Sequence, residues 1–486
     1  MATSELSGFL DWFTRNGGTL DNDSVGFTDF PPLDGGRGAI ALKDIPEGNT
    51  LFTIPRSLTL STRTCSLVKL LGQDIWKRYK LDEGWAGLIL CMMWESAQGP
   101  TSQWADYLAT LPTTFDTPMF WSDADLDKLK GTTVLEKLGR KDAERDYNDK
   151  LLPASRPDLF APDLHSVYYT LEQYHVMGSR ILSRSFDVER WESGGEEDEA
   201  ANTSSASMMD VDQPEPPQDE SATETKEEIE EEEEDPIDVS MVPIADLLNA
   251  RYGSENAKLF HEKTLLRMVS TKPIKTGEQI WNTYGDLPNA ELLRRYGHVD
   301  LLLLPDGTKG NPGDVAEIRA DLVVSAVTQF AGTSAESCAE RIDWYLEEGG
   351  EDLLAIESNG ELPSSLVLLI QILVLPDKEW QKLQQRRKLT KSKPDTVVLG
   401  IVHSLLEARI AQYPTEENES SLEEMTLNIR HATVVRRGEL KILHALLARV
   451  ETLLAAEANA NNKRKADVEE PETSKNTRKR KTKLRK

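Results

Sequence analysis

Cysteine is scarce: Cys65, Cys91 and Cys338 are the only three in 486 residues, far apart and without a CxxC pair. That excludes a thiolate zinc cluster and a disulfide framework, and it suits a reducing compartment. No other metal-ligating spacing is present. Long apolar runs are missing too. The longest, Leu366–Leu375, is interrupted by Gln371 and is too short to span a bilayer. The first residues include Glu5 and Asp11 and lack a basic region before an apolar core, so neither a signal peptide nor a membrane partner is expected. Basic residues are outnumbered 56 to 83 by acidic ones, and no direct nucleic-acid function is expected.

The charge that is present is unevenly placed. Residues 191–240 hold 20 acidic side chains and one basic, Lys226, with almost nothing apolar. Such a stretch cannot bury enough surface to offset its ordering entropy, so a disordered acidic insertion is expected over about 192–236. It is a solvated loop or a docking segment for a basic partner. The last 24 residues reverse the sign, with 11 basic and four acidic side chains. Their clusters, Lys463–Lys465 and Arg478–Lys481, have the spacing of a bipartite nuclear signal, which would engage a nuclear import receptor.

A length of 486 residues suggests two or three domains. Ser4–Asn16 reads as an amphipathic helix stopped by Gly17-Gly18. Short strands are expected at Ala39–Leu42, Thr50–Ile54 and Leu58–Ser61, with Asp44–Gly48 as a turn. Pro273–Gly277, followed by a strand at Glu278–Asn282, repeats that build about 200 residues later. One small β-domain interrupted by a long helical insertion explains both. Within the insertion, Trp85–Ser96, Asp123–Leu129 and Leu164–Phe186 read as helices. Further helices are expected at Asp314–Phe330, Ser337–Glu348, Ser364–Val374, Thr396–Gln412, Ser421–Ile429 and Arg436–Ala456.

Four segments carry polar residues that a plain core does not need. Gly35-Gly36-Arg37-Gly38 opens a strand rather than a helix, so it is not a dinucleotide fingerprint. Its glycines make either a turn or a close backbone approach to a ligand. Asp246 and Asn249 are spaced i, i+3, which on a short helix puts them on one face, and Asn249 alone also reads as a C-cap. Tyr284 and Tyr296, 12 apart and each followed by glycine, are core aromatics or the walls of an amine channel. Arg184 lies in Ser183–Phe186.

In order, these segments resemble the SET domain of the Rubisco large-subunit methyltransferase type, which includes fungal ribosomal-protein lysine methyltransferases. The resemblance implies an α+β fold. A β-rich SET core (23–300) follows an N-terminal helix (1–22) and is split by a helical insertion (about 62–190). An all-α substrate-binding domain (305–457) and a basic disordered tail (458–486) come after it. It implies S-adenosyl-L-methionine held by Gly35, Gly36, Arg37, Gly38, Arg184, Asn249, Ala250 and Tyr284. Ala250 departs from the family, which has histidine there. Tyr284 is the implied catalytic residue, with Trp121, Asp246, Tyr296 and His298 at the substrate; His298 stands where the family usually has phenylalanine. The implied reaction is methylation of a lysine on a basic protein partner, ribosomal rather than histone, and a neutral His298 imidazole that holds one rotation of the amine is expected to stop it at one methyl group. A catalytically silent binding module and a histidine methyltransferase are the competing readings. Tyr296, absent from histidine-modifying relatives, opposes the latter.

Overall fold

The computed structural model describes residues 4–31, 35–155, 159–190, 237–386, 393–414 and 421–469. The acidic insertion and the Arg478–Lys481 cluster lie outside them. Two compact units emerge: residues 1–126 with 134–311, and residues 127–133 with 312–486.

The first unit is built on strands from both ends of its sequence. β1 (Thr19–Leu20), β2 (Val25–Asp29), β3 (Arg37–Ala41) and β4 (Thr50–Pro55) come early. β5 (Ser185–Glu189) and β6 (Ile237–Met241) follow the helical stretch, and then come β7 (Ala257–His261), β8 (Leu265–Ser270) and β9 (Gln279–Ile280). One sheet has the order β1-β4-β8-β7, a second β2-β3-β9, and β5 pairs with β6. The early and late groups therefore hydrogen-bond to each other, with Ile54 opposite Leu266 and Ala39 opposite Ile280. Even the two similar turns meet, through a bridge between Ile45 and Ile274. Leu58–Ser61 is not a strand. Arg56–Leu58 forms a 3-10 turn, and a single bridge joins Leu60 to Met241.

The intervening helices wrap an apolar core. Ala86–Ala97 is buried nearly all round, as its lack of a polar face requires. The stretch expected as one helix over 164–186 is two, Pro162–Tyr168 and Leu171–Arg184, and its last residues enter β5. Thr170 caps the second helix by accepting from the Gln173 amide. That helix carries Arg180 and Arg184 one turn apart.

β5 and β6 pair in register from Ser185 opposite Met241 to Glu189 opposite Ile237. The ends of the acidic insertion are thus held side by side, as in a hairpin loop. Replacing residues 193–235 by a short Gly-Ser linker should leave the melting temperature within about 2 °C, because loop-closure entropy changes slowly with length. A larger drop in a thermal melt would give the insertion a structural role.

The second unit is mainly helical but not all-α. β10 (Leu302–Leu303) and β11 (Lys309–Gly310) end the first unit, and β12 (Val315–Arg319) pairs with β13 (Leu353–Glu357) in the second. A helix was expected from Asp314, but it starts at Ala320. Pairing with β13 buries Ala316 and Ile318, which outweighs the local helical spacing. Asp377–Arg386 is a helix that its polar sequence did not advertise. The two helices expected after Ser421 form one, Leu427–Glu469, which contains no proline and runs through Gly438 without a break. Ala- and Lys-rich sequence carries it beyond residue 458, where a tail was expected.

Candidate active site

Backbone strain marks the centre of the first unit. Ile244, a β-branched residue, sits at φ 70°, immediately before the 3-10 turn Ala245–Leu247. A conformation of this kind costs on the order of 1–3 kcal/mol and persists only when its surroundings hold it. Here it presents Asp246 to two partners. The Tyr107 hydroxyl donates to Asp246 Oδ2 at 2.9 Å, and Arg184 Nη1 donates to the Asp246 carbonyl at 2.6 Å. The same Arg184 nitrogen lies 3.9 Å from Asp246 Oδ2. The second carboxylate oxygen, Oδ1, is buried with no partner from another residue.

Asp246 and Asn249 do not share a face. The turn ends at Leu248, which is extended, and Asn249 Nδ2 donates instead to Gln279 Oε1 at 2.8 Å. It lies under the glycine loop. A Cβ on Gly35 would stand 2.6 Å from Asn249 Cγ, and one on Gly38 would stand 2.5 Å from Asn249 Nδ2. Gly35 also has φ +98°, which side chains avoid. The loop and Asn249 are therefore in contact only because the glycines have no side chains. Arg37 leans to Asp29 at 3.8 Å. Gly36 has open space where a Cβ would be.

From there the chain crosses itself. The Asn282 amide donates to the Asn249 carbonyl at 2.9 Å, and Ala250 bridges Asn282 in parallel. Two residues on, Tyr284 stacks on Tyr296 with ring centroids 4.1 Å apart and planes 3° from parallel. Tyr296 ends the Asn289–Tyr296 helix, which Gly297 stops in the left-handed conformation. Both rings line a cavity of about 120 Å³, together with Arg184, Asp246, Asp187 and His261. Burial raises the hydroxyl pKa of Tyr284 and of Tyr296, so both remain protonated donors at neutral pH.

Two expected residues lie elsewhere. Trp121 is buried, with its indole donating to the Asp116 carbonyl, and is not part of the cavity wall. His298 sits beside Tyr296 at 6.0 Å between ring centroids and likewise does not line the cavity. The left-handed turn at Gly297 carries the chain away from the helix axis, so sequence proximity to Tyr296 is not proximity to the cavity. Burial lowers the His298 imidazole pKa, against the pull of Asp300. Conversely, Tyr107, Asp187, His261 and Arg295 were not expected at the site.

Burial pushes the Asp246 carboxyl up to about 6, although Arg184 and Tyr107 favour its charged form. Because the folded-state pKa lies above the unfolded value of 3.8, the folded protein binds more protons between these pH values, and stability falls as pH rises from about 4 to about 6. The expected penalty above pH 6 is about 3 kcal/mol. Asp246→Asn keeps an acceptor for Tyr107 without the charge. It should melt several degrees higher than wild type at pH 8 and near it at pH 4.5, while turnover falls at least tenfold. Thermal melts at both pH values check this; a variant less stable at pH 8 would contradict it.

Strands at both ends of an interrupted core, a crossing at Asn249 and Asn282, and a paired-tyrosine cavity beside it define a SET-domain methyltransferase. The chain's sequence relatives are protein-lysine N-methyltransferases, and it shares the fold of Rubisco LSMT, solved bound to AdoMet. It is 32% identical over 356 residues to ribosomal lysine N-methyltransferase 4 of Saccharomyces cerevisiae, a match covering 70% of this chain and 65% of that one, just under two thirds. It is 27% identical over 482 residues to N-lysine methyltransferase setd6 of Salmo salar, covering 91% and 96%. The fold matches the SET domain of LSMT bound to methyllysine and AdoHcy with a TM-score of 0.61 and 17% identity, over 94% of this chain and 93% of that one. No family model matches the chain.

The residues present fit the cofactor. The glycine loop leaves backbone amides and carbonyls approachable over Asn249, and the unpartnered Asp246 Oδ1 offers an acceptor. Gly35, Gly36, Arg37, Gly38, Asn249 and the Ala250 backbone would hold one side of it, and Arg184 the other.

Proposed function

We propose that this protein places one methyl group on a lysine of a basic large-subunit ribosomal protein. The observation that carries the catalytic part is the Tyr284–Tyr296 stack walling a cavity beside Arg184 and Asp246. S-adenosylmethionine supplies an electrophilic methyl on a sulfonium. The chain's residues must deliver a neutral amine in line and exclude water. From a reference pKa of about 10.4, deprotonation at pH 7 costs about 4.6 kcal/mol. Desolvation in the tyrosine-walled cavity penalises the ammonium form and so reduces that cost. The Tyr284 and Tyr296 hydroxyls can then orient the amine lone pair.

The ribosomal assignment is supported by the likeness to the yeast protein and by the acidic character of this chain, which suits a basic partner. The basic clusters near the C-terminus support a nuclear signal in the tail, and a fluorescent fusion lacking residues 463–486 would refute that signal by staying nuclear. Mass spectrometry of ribosomal proteins from a deletion strain tests the substrate. Loss of a single methyl mark is expected, and an unchanged ribosomal pattern would overturn the assignment.

The single methylation rests on Tyr296 rather than His298, given where the two rings lie. A hydroxyl bonded to the amine holds one rotation of the nitrogen, and a second transfer needs the methylated amine to turn. Tyr296→Phe should therefore shift product toward dimethyl-lysine, while His298→Phe leaves the ratio unchanged. Intact-mass time courses on a peptide decide it; trimethylation by wild type would sink the proposal.

A further inference from the structure

One turn before Arg184 on the Leu171–Arg184 helix, Arg180 faces a different cavity. This one encloses about 680 Å³ and lies between that helix and the N-terminal helix, with Trp12, Glu95, Tyr168, Met177 and Arg180 in its wall. Arg180 is 6% exposed. Its Nε donates to the Pro112 carbonyl at 3.0 Å, and its Nη1 reaches only the Met177 sulfur at 3.4 Å. Among the described residues no carboxylate lies within ion-pair distance of it. Buried arginines are ordinarily paired, since a guanidinium removed from water without a counter-charge is strongly destabilising. Two neutral acceptors do not supply one. Burial accordingly lowers its pKa to about 10, and the nearby Arg184 cation acts in the same direction.

The rest of the wall says what kind of counter-charge fits. Glu95 is already engaged by the Ser102 hydroxyl at 2.7 Å and the Cys65 thiol at 3.4 Å, and Asp106, 3.9 Å from Arg15, also lines the space. Two carboxylates oppose a multiply charged anion such as a phosphate dianion. A single carboxylate matches one open edge of a guanidinium. Trp12, Tyr168 and Met177 offer apolar and aromatic surface for the remainder of the ligand. We infer that this cavity is a binding site for a small organic carboxylate with an aromatic or apolar body, whose charge is met by Arg180.

The site is wired to the active site by short contacts. Trp12 stacks on Tyr107 with ring centroids 6.5 Å apart and planes 12° from parallel, and the Tyr107 hydroxyl holds Asp246. A carboxylate on Arg180 also relieves the like-charge push of Arg180 on Arg184. Occupancy therefore changes how firmly Arg184 and Asp246 are held, and with them the KM for the cofactor more than kcat.

Calorimetric titration and thermal melts of the full chain, in low-salt chloride buffer, test the site with benzoate and inorganic phosphate as probes. Benzoate should bind saturably at one site and raise the melting temperature. Arg180→Met should weaken benzoate at least tenfold and, in probe-free buffer, melt no lower than wild type. Ala109→Trp, at the exposed rim of the same cavity, should block benzoate while the arginine stays. Phosphate binding more tightly than benzoate would overturn the carboxylate assignment. No saturable benzoate binding, or equal binding by wild type and both variants, would overturn the site. Heat of binding is independent of the proposed substrate, so failure here and failure there are distinguishable.

Discussion

Tyr284→Phe should lower kcat by about 10²–10³-fold while cofactor affinity stays within a few-fold of wild type. The phenylalanine ring preserves the 4.1 Å stack on Tyr296, so the channel keeps its shape and only the hydroxyl is lost. In the proposed mechanism that hydroxyl acts on an amine and a methyl group that come together only at the transition state. Its removal therefore spares binding and slows transfer. Single-turnover methylation with isotopically labelled cofactor separates the two quantities. Turnover within threefold of wild type would remove Tyr284 from catalysis, and a parallel loss of cofactor affinity would make it a binding residue instead.

Arg409→Met should destabilise the helical unit by about 3–5 kcal/mol, the usual result of removing one partner from a buried charged network. Arg409 is 3% exposed. Its Nε donates to the Glu317 carbonyl at 3.0 Å, and its Nη1 donates to the Gly131 carbonyl at 2.6 Å and to Gln412 at 3.1 Å. Glu439 lies 3.9 Å away, accepts from the Tyr413 hydroxyl, and is pushed up to about 8 by burial despite the guanidinium. Methionine fills the stem but leaves the carbonyls of Gly131 and Glu317 without that donor. Hydrogen exchange should show amides around 129–133 losing protection together with the C-terminal helix. Unchanged exchange there would mean that the network contributes little.

Much of the site could be read from the chain because its parts are chemically unusual. Glycines opening a strand, an asparagine after an apolar turn and two Tyr-Gly pairs stand out from core sequence, and the fold brings Gly35, Gly38 and Asn249 together. What could not be read is direction. His298 is close in sequence to the cavity wall but turned from it, since local spacing does not record the left-handed bend at Gly297, and Trp121 is held elsewhere by the Asp116 carbonyl. Asp187 and His261 were invisible for the opposite reason: ordinary residues on strands acquire meaning only when pairing sets them beside Tyr284. β12 shows the same limit in the fold. Its residues satisfy a helical period, and only a partner strand some 35 residues later decides otherwise.

The excursion of residues 127–133 into the helical unit has a consequence for how the protein is made. Leu129 is fully buried within that unit, and the Gly131 carbonyl is bound by a side chain synthesised 278 residues later. At about 5–20 residues per second, the segment waits roughly 15–55 s on the ribosome before its partner emerges. During that interval Leu129 has no native surface to cover it. It cannot complete its fold in the order of translation, and a nascent chain stalled before residue 409 would carry an exposed Leu129 as a handle for chaperones.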